Sequence, residues 1–142
     1  MKWLTENDVI RAVKSYLEEE GWRIINECNT SQRGIDIEAI RKNKKLAVEA
    51  KGGTSSKKGT RRYDKEFSGG QKGAHIAYAI LASLKQISKG GYSVAMAFPD
   101  DKRHLYVLEQ VRPALKKLHI AVYVVDMKKR VRVLENSRSW VS

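Results

Sequence analysis

Residues 34–52, with the sequence GIDIEAIRKNKKLAVEAKG, constrain the possible folds of this chain more than any other segment. Within it, residues 35–40 and 46–51 alternate apolar and polar side chains, and a basic turn separates the two runs. This pattern predicts two short strands joined in a hairpin. Successive side chains of a strand point to opposite faces of the sheet, so each strand is expected to have one apolar and one polar face.

The polar faces of the two predicted strands carry side chains suited to phosphate chemistry. If both apolar faces point to a core, Asp36, Glu49 and Lys51 converge on one polar patch. Two carboxylates can hold a hard divalent cation, and a neighbouring lysine can assist a water molecule. This set is the minimum equipment for metal-dependent hydrolysis of a phosphodiester. Glu38 shares the face of Asp36 but lies further along the strand, so we expect it outside the site.

Signals on both sides of the hairpin predict further helices and strands. Residues 5–20 are expected to form a helix, with Thr5 and Asp8 as a capping-box-like pair and Gly21 as its end. The other expected elements are a strand over residues 22–28, a helix over 70–88, a strand over 92–98, a helix within 108–118, and strands over 119–125 and 131–134. Pro113 is expected near the first turn of the last helix or at a kink in it.

The resulting order, αβββαβαββ, predicts an α/β fold in which helices flank a mixed central sheet. The chain has 142 residues, which is enough for one domain with a substantial core. We expect that domain to span residues 1–135 and residues 136–142 to form a loose tail. Residues 52–70 are rich in Gly, Ser, Thr, Lys and Arg, which is typical of a long mobile loop.

The charge of the chain indicates a polyanionic partner. The formal net charge is +12 and the pI is about 9.9, a strong excess for one small domain. The basic side chains are concentrated in residues 41–72, which form either a solvated surface or a phosphate-binding rim around the polar patch. On the second interpretation, the residues that contact nucleic acid are Lys57, Lys58, Arg61, Arg62 and Lys72.

Several other classes of protein are disfavoured by the sequence. Cys28 is the only cysteine, so no disulfide can form within the chain, and no Cys/His cluster suggests zinc. The longest mainly apolar stretch, residues 74–84, is too short to span a bilayer, and the N-terminal residues lack the apolar region of a signal peptide. We therefore expect a soluble cytoplasmic protein without a membrane partner.

Asp36 followed by Glu49-Ala50-Lys51 resembles the signature of the PD-(D/E)xK nuclease superfamily, which has the restriction-endonuclease-like fold. Ile35 stands where the usual proline of that signature precedes the aspartate. The predicted αβββαβ core also follows the layout of the superfamily, and the resemblance covers about residues 3–126. Within the superfamily, the chain is similar to small Holliday-junction-resolvase-like and Mrr-like nucleases. The resemblance implies a DNA nuclease, expected to be an endonuclease, that depends on Mg²⁺ or Mn²⁺.

The same resemblance implies roles for individual residues. Asp36 and Glu49 would hold the metal, with the Ala50 carbonyl as a third ligand, and Lys51 would orient or activate the attacking water. Some members place a glutamate of the first helix close to the metal, and Glu6 matches that position. An acid at the start of a helix is also favoured by the helix dipole alone, so both interpretations of Glu6 stay open.

In related nucleases a glutamine early in the helix after the hairpin contacts the site, often within a Gln-x-x-x-Tyr pattern. Here the pattern is Gln71-x-x-x-His75, with Tyr78 one turn further along the same predicted face. Gln71 is therefore a candidate catalytic residue. His75 is either part of the site or a structural histidine.

Two alternatives to a DNA nuclease remain at this point. The first is a non-catalytic nucleic-acid-binding protein of the same fold, which the basic segment alone would support. The second is a nuclease directed at RNA. Because one small domain carries one site, paired cuts in two strands would require a homodimer.

Overall fold

One mixed sheet and three helices make up the described part of the computed structural model, which comprises residues 3–27, 34–53 and 69–135. The helices are α1 (Glu6–Glu19), α2 (Gly69–Lys89) and α3 (Lys102–Lys117). The strands are β1 (Arg23–Glu27), β2 (Ile37–Arg41), β3 (Lys44–Ala50), β4 (Ser93–Pro99), β5 (Ile120–Val125) and β6 (Val131–Glu135). The predicted α/β class and the predicted order of elements are confirmed.

The strands lie in the sheet in the same order as in the chain, from β1 to β6. The β1–β2, β2–β3 and β5–β6 pairs are antiparallel, whereas β4 is parallel to both β3 and β5. Parallel neighbours need a crossover connection, and α2 and α3 provide the two crossovers. The hairpin predicted from the sequence is thus the β2–β3 pair.

Helices cover the two faces of the sheet and create two apolar cores. The core on the α1 side contains Val9, Val13, Leu17, Ile37, Ala39, Val48, Ala50, Ala95, Ala97 and Tyr123, among others. The core on the side of α2 and α3 contains Ile76, Ala79, Met96, Phe98, Leu108, Leu115, Ile120, Val122 and Val124. β4 shows the alternation that this arrangement requires, since its alanines face α1 while Met96 and Phe98 face the other layer.

The start of α1 is fixed by the predicted capping box. The Asp8 N–H donates to the Thr5 Oγ1 at 3.1 Å, and the Thr5 N–H donates to the Asp8 Oδ2 at 2.9 Å. At the other end, Gly21 adopts a φ of +92°, and the Trp22 N–H donates to the Leu17 carbonyl at 2.9 Å. These contacts set the direction in which the chain enters β1.

α3 begins six residues earlier than predicted, at Lys102 rather than Leu108. Asp101 caps the helix, because its carboxylate accepts a hydrogen bond from the His104 N–H at 2.9 Å. Pro113 therefore lies well inside the helix, and the prediction that it stands near the first turn is wrong. A proline there removes one backbone hydrogen bond of the helix.

The predicted loop over residues 52–70 and tail over residues 136–142 fall mostly outside the described residues, as does Cys28. Gly69 and Gly70 belong to α2 rather than to a loop. No helix in the described ranges is long and apolar enough to cross a membrane.

Candidate functional site

The β2–β3 hairpin brings Asp36 and Glu49 together. Ile37 pairs with Val48, so the residue before Ile37 stands opposite the residue after Val48. Asp36 lies just before β2 and is only 7% exposed. Its Oδ2 accepts a hydrogen bond from the Ala50 N–H at 2.8 Å, which fixes the carboxylate against the end of β3.

Lys51 follows β3 directly and completes the triplet with Glu49 and Ala50. The Lys51 N–H donates to the Ala97 carbonyl at 3.0 Å, so the backbone stays attached to β4. The Lys51 Nζ lies 3.5 Å from the Glu49 Oε2, and about one fifth of each side chain is exposed. The lysine and the carboxylate thus reach solvent at the same end of the sheet.

Glu6 joins this group because α1 begins against the segment that follows Lys51. A Cβ atom at Gly52 would lie 2.3 Å from the Glu6 nitrogen and 2.6 Å from the Thr5 carbonyl carbon. Such distances are shorter than any carbon can tolerate, so only glycine permits this approach. The Gly53 N–H also donates to the Leu4 carbonyl at 2.7 Å, which ties the two segments together.

Burial and mutual repulsion perturb the three carboxyls. Desolvation, followed by the negative charge of Asp36, raises the pKa of Glu6 to about 7, with Lys51 acting in the opposite direction. Desolvation and Asp36 also raise the pKa of Glu49 to about 7, with a smaller contribution from Glu6 and opposition from Lys51. Burial raises the pKa of Asp36 as well, against the effects of the Ala50 N–H, Lys51 and a hydrogen bond with Glu49.

The site offers few protein ligands for a metal ion. Within residues 3–27, 34–53 and 69–135, no group of three or more His, Cys, Asp or Glu side chains is arranged to hold a metal ion. Asp36 and Glu49 nevertheless present two hard oxygen donors at one point, and an Mg²⁺ ion commonly takes one or two carboxylates together with waters and substrate phosphates. Ala50 is held beside them through its own N–H. These residues are therefore suited to an ion that takes only a few ligands from the protein and the others from water and phosphate.

Three polar residues of α2 that the sequence predicts on one face of the helix differ in their exposure. Gln71 and His75 are half-buried, whereas Tyr78 is 63% exposed, so these residues do not share one environment. Desolvation, followed by the positive charges of Lys51 and His104, lowers the pKa of His75. His75 therefore lies on the side of α2 that approaches the carboxylate cluster.

Lys72 lies inside the protein rather than on its surface. The residue is 2% exposed, and its Nζ is 3.2 Å from the Asp101 Oδ2. The phosphate contact predicted for Lys72 requires an exposed ammonium group, and this position does not provide one. The cause is the carboxylate at the start of α3, which holds the ammonium between the two helices. The other predicted nucleic-acid contacts, Lys57, Lys58, Arg61 and Arg62, lie outside the described residues.

Sequence reasoning missed the polar cluster formed by Lys72, Asp101 and His104. The His104 Nδ1 lies 2.9 Å from the Asp101 Oδ2, and the fully buried imidazole stacks on Phe98. Burial alone would raise the pKa of Asp101, but hydrogen bonds from the His104 side chain and backbone, with the charges of His104 and Lys72, lower it to about 2. The available signal was Asp101 itself, since an aspartate shortly after a strand is favoured as the N-cap of a following helix.

Comparisons with known proteins do not add a relative to this description. A scan against protein-family models found no match, and searches of the curated proteins and of the solved structures found none either. Function is therefore argued from the chain's own residues. The feature that calls for explanation is the convergence of Glu6, Asp36, Glu49 and Lys51 at one end of the sheet.

Proposed function

We propose that this chain is a Mg²⁺- or Mn²⁺-dependent DNA nuclease of the PD-(D/E)xK type. One observation carries the proposal: three partly or fully buried carboxyls and one lysine converge where β2 begins and β3 ends. A structural role would favour pairing these acids with cations. Instead the acids are desolvated and outnumber the bases, so burial and, after it, the charge of Asp36 raise the pKa values of Glu6 and Glu49.

Each residue has a defined task in this proposal. Asp36 and Glu49 would hold the metal ion, and a divalent cation bound there would supply positive charge at the scissile phosphate and make water easier to deprotonate. Lys51 orients the attacking water and stabilises the negative charge that develops on the phosphate oxygens. Glu6 lies close enough to influence the charge of both ligands, and it adds an acceptor at the edge of the site.

The rest of the chain agrees with a polyanionic substrate. The net charge of +12 attracts nucleic acid over long distances, whereas the local excess of carboxylates would repel a phosphate. A divalent cation resolves this conflict because it screens the carboxylates and binds the phosphate at the same time. Localisation in the cytoplasm and assembly as a homodimer belong to the same proposal.

A second candidate function is nucleic-acid binding without cleavage. The observation in its favour is that the three carboxyls, although they converge, are not arranged as a group of three or more side chains that could hold a metal ion, and the other described residues provide no such group either. In this case the acids have no catalytic role, and the basic surface binds the nucleic acid. A nuclease directed at RNA would use the same residues as one directed at DNA.

The deciding experiment is a cleavage assay on supercoiled, linear, single-stranded, flap and four-way-junction DNA, with a matched RNA duplex. We expect cutting with Mg²⁺ or Mn²⁺ that stops in EDTA and falls at least about 100-fold in Glu49→Gln, because a neutral amide is a poor ligand for a hard cation. Glu38→Gln is the matched control, since Glu38 lies two residues beyond Asp36 and pairs with the Tyr92 hydroxyl instead.

Unchanged cutting by Glu49→Gln would reject the assignment of the site. Strong, salt-dependent binding without any cutting would favour the binding protein over the enzyme. Faster cutting of the RNA duplex than of the matched DNA would move the substrate class to RNA.

A further inference from the structure

A cavity of about 200 Å³ opens between β3 and the second half of α2, directly beside Glu49. Its walls on the sheet side are small and apolar, and they are formed by Ile35, Ala47, Val48 and Val94. Neither α2 nor any other described helix fills this space. An occupant of the cavity would therefore contact the apolar sheet and the Glu49 carboxylate together.

α2 lines the opposite side of the cavity with small residues, Ala82 and Ser83. The Ser83 hydroxyl is already satisfied, because it donates to the Ala79 carbonyl of the same helix at 2.8 Å. This wall presents no unmet polar group to an occupant. The cavity is therefore suited to a flat, largely apolar face rather than to a charged group.

The rim of the cavity is basic. Lys85 and Lys89 are exposed and stand one turn apart on α2, so their ammonium groups project on the same side, with Gln86 between them. Neither lysine forms an ion pair within the described residues. Two cations beside an apolar cavity match a group that has a flat ring and flanking phosphates.

We propose that this cavity receives one unpaired nucleobase next to the phosphate that is cut, and that Lys85 and Lys89 bind the adjoining phosphates. The volume of about 200 Å³ lies below the roughly 300–1,000 Å³ of usual ligand pockets, so one ring system enters and a stacked pair does not. A paired base is held in the duplex, and its removal costs energy that an unpaired base does not need. The preferred substrates are therefore nucleic acids with an unpaired nucleotide, such as branches, flaps and single strands.

The statement that the phosphate is cut rests on the proposed function, whereas binding of the base does not. Binding is therefore measured in EDTA, where a metal-dependent enzyme does not cut. The probes are two DNA duplexes of one sequence that carry a fluorescent base analogue, which is unpaired in one duplex and paired in the other. We expect about tenfold tighter binding of the unpaired probe, with a change in its fluorescence, because stacking of one base has an effect of this size.

Filling the cavity should remove this preference. Ala82→Leu places a larger side chain in the wall, and we expect the two probes to bind equally. Ala77→Leu is the matched control, because Ala77 is exposed on the same helix and does not line the cavity. Thermal unfolding of both variants checks the fold. Equal binding of the two probes by the unaltered protein, or a preference that survives in a folded Ala82→Leu variant, would overturn the proposal.

The role of the rim is tested with exposed residues that do not affect folding. Replacement of both Lys85 and Lys89 by Ala should reduce the slope of log affinity against log salt by about two, which corresponds to two lost phosphate contacts. Replacement of Lys116 and Lys117 by Ala removes the same charge from exposed positions at the end of α3 and should leave the slope unchanged. Equal slopes for the two double variants would overturn the assignment of the rim.

Cleavage with Mg²⁺ is recorded separately for the same proteins. A preference for the unpaired base without any cutting would reject the nuclease proposal and retain the cavity as a base-binding site. Cutting without a preference for the unpaired base would reject the cavity and retain the nuclease.

Discussion

Individual carboxyls of the cluster destabilise the fold when they are ionised, and other contacts in the protein offset this loss of stability. Glu6 and Glu49 have pKa values near 7 because they are desolvated and share a small space with Asp36. At neutral pH the site is therefore poised between its protonated and ionised forms. The ionised fraction of these two carboxyls therefore depends strongly on pH. A bound cation would increase that fraction, because it favours the charged form.

The stability of the metal-free protein should fall as pH rises. The folded state keeps protons on Glu6 and Glu49 up to about pH 7, whereas the unfolded chain releases them near pH 4.5, so between these values the folded state binds more protons. The free energy of unfolding in EDTA should therefore decrease from about pH 4.5 to about pH 8, by on the order of 3 kcal/mol for each of the two carboxyls. Chemical denaturation across this range measures it.

Glu49→Gln isolates the residue responsible, since an amide has no charge to lose. The variant should resemble the unaltered protein near pH 5 and exceed its stability near pH 8. Glu18→Gln, an exposed position on α1, is the control and should leave the pH profile unchanged. A Glu49→Gln profile as steep as that of the unaltered protein would show that the carboxyl is not strained.

Gly52 determines whether Glu6 can reach the site. Gly52→Ala would place a Cβ 2.3 Å from the Glu6 nitrogen, so α1 or the end of β3 has to move. We expect a loss of stability of about 1–3 kcal/mol, as for other overpacked sites, and a loss of activity from the displaced Glu6. Thermal unfolding and the cleavage assay measure the two effects.

Gly73→Ala is the matched control for this substitution. A Cβ at Gly73 meets no atom within 4 Å, and the residue lies in α2, where alanine is the better helix former. This variant should be as stable as the unaltered protein or more stable by up to about 1 kcal/mol. If Gly52→Ala were equally well tolerated, the close packing of α1 against the site would be incorrect.

Helices α2 and α3 are joined by a polar cluster that differs in character from the site. Asp101 caps α3 and at the same time neutralises the buried ammonium of Lys72 and holds the His104 ring. Its low pKa shows that these contacts favour the carboxylate, in contrast to the carboxyls of the site. One residue therefore connects the start of a helix to the packing of two elements.

Removal of the Asp101 carboxylate should strongly destabilise the α2–α3 layer. Asp101→Ala removes the cap and takes a carboxylate partner away from a buried lysine, for which we expect a loss of about 3–5 kcal/mol. Lys72→Met combined with Asp101→Asn removes both charges and keeps a capping side chain, so it should cost much less. Denaturant unfolding of the three proteins gives the comparison, and an equal loss in the single and double variants would contradict a buried ion pair.

The elements that the sequence predicted well are those with strong local signals. The capping box at Thr5 and Asp8 specified α1 to within one residue at each end, and the alternation in residues 46–51 specified β3 to within two. The start of α3 was missed although Leu105, Leu108 and Val111 follow helical spacing, because the N-cap at Asp101 was not recognised. The inward position of Lys72 and the approach of Glu6 depend on tertiary contacts, with Asp101 and Gly52 respectively, and no local pattern encodes them.

The molecule as a whole combines a strong positive net charge with a small acidic site. The net charge of +12 draws polyanions towards the surface, but the carboxylates at the end of the hairpin oppose the close approach of a phosphate. The protein as a whole thus attracts a polyanion at long range, whereas the site itself repels a phosphate at short range. In the proposed function, a divalent cation between the carboxylates and the phosphate would make the two compatible, so the cation and the polyanionic substrate would depend on each other.

If the proposed function holds, a chain whose described residues contain one such carboxylate cluster would cut one strand at a time. If junctions or duplexes are cut in both strands at once, two copies of the chain must act together, because each described copy provides a single site. We expect a dimer by sedimentation under the conditions of such paired cutting. Mixing the unaltered protein with an excess of Glu49→Gln should convert paired cuts into single nicks, since most dimers would then contain one intact site. Paired cuts by a sedimenting monomer, or paired cuts that resist this mixing, would show that one copy turns between the strands and would contradict the dimer.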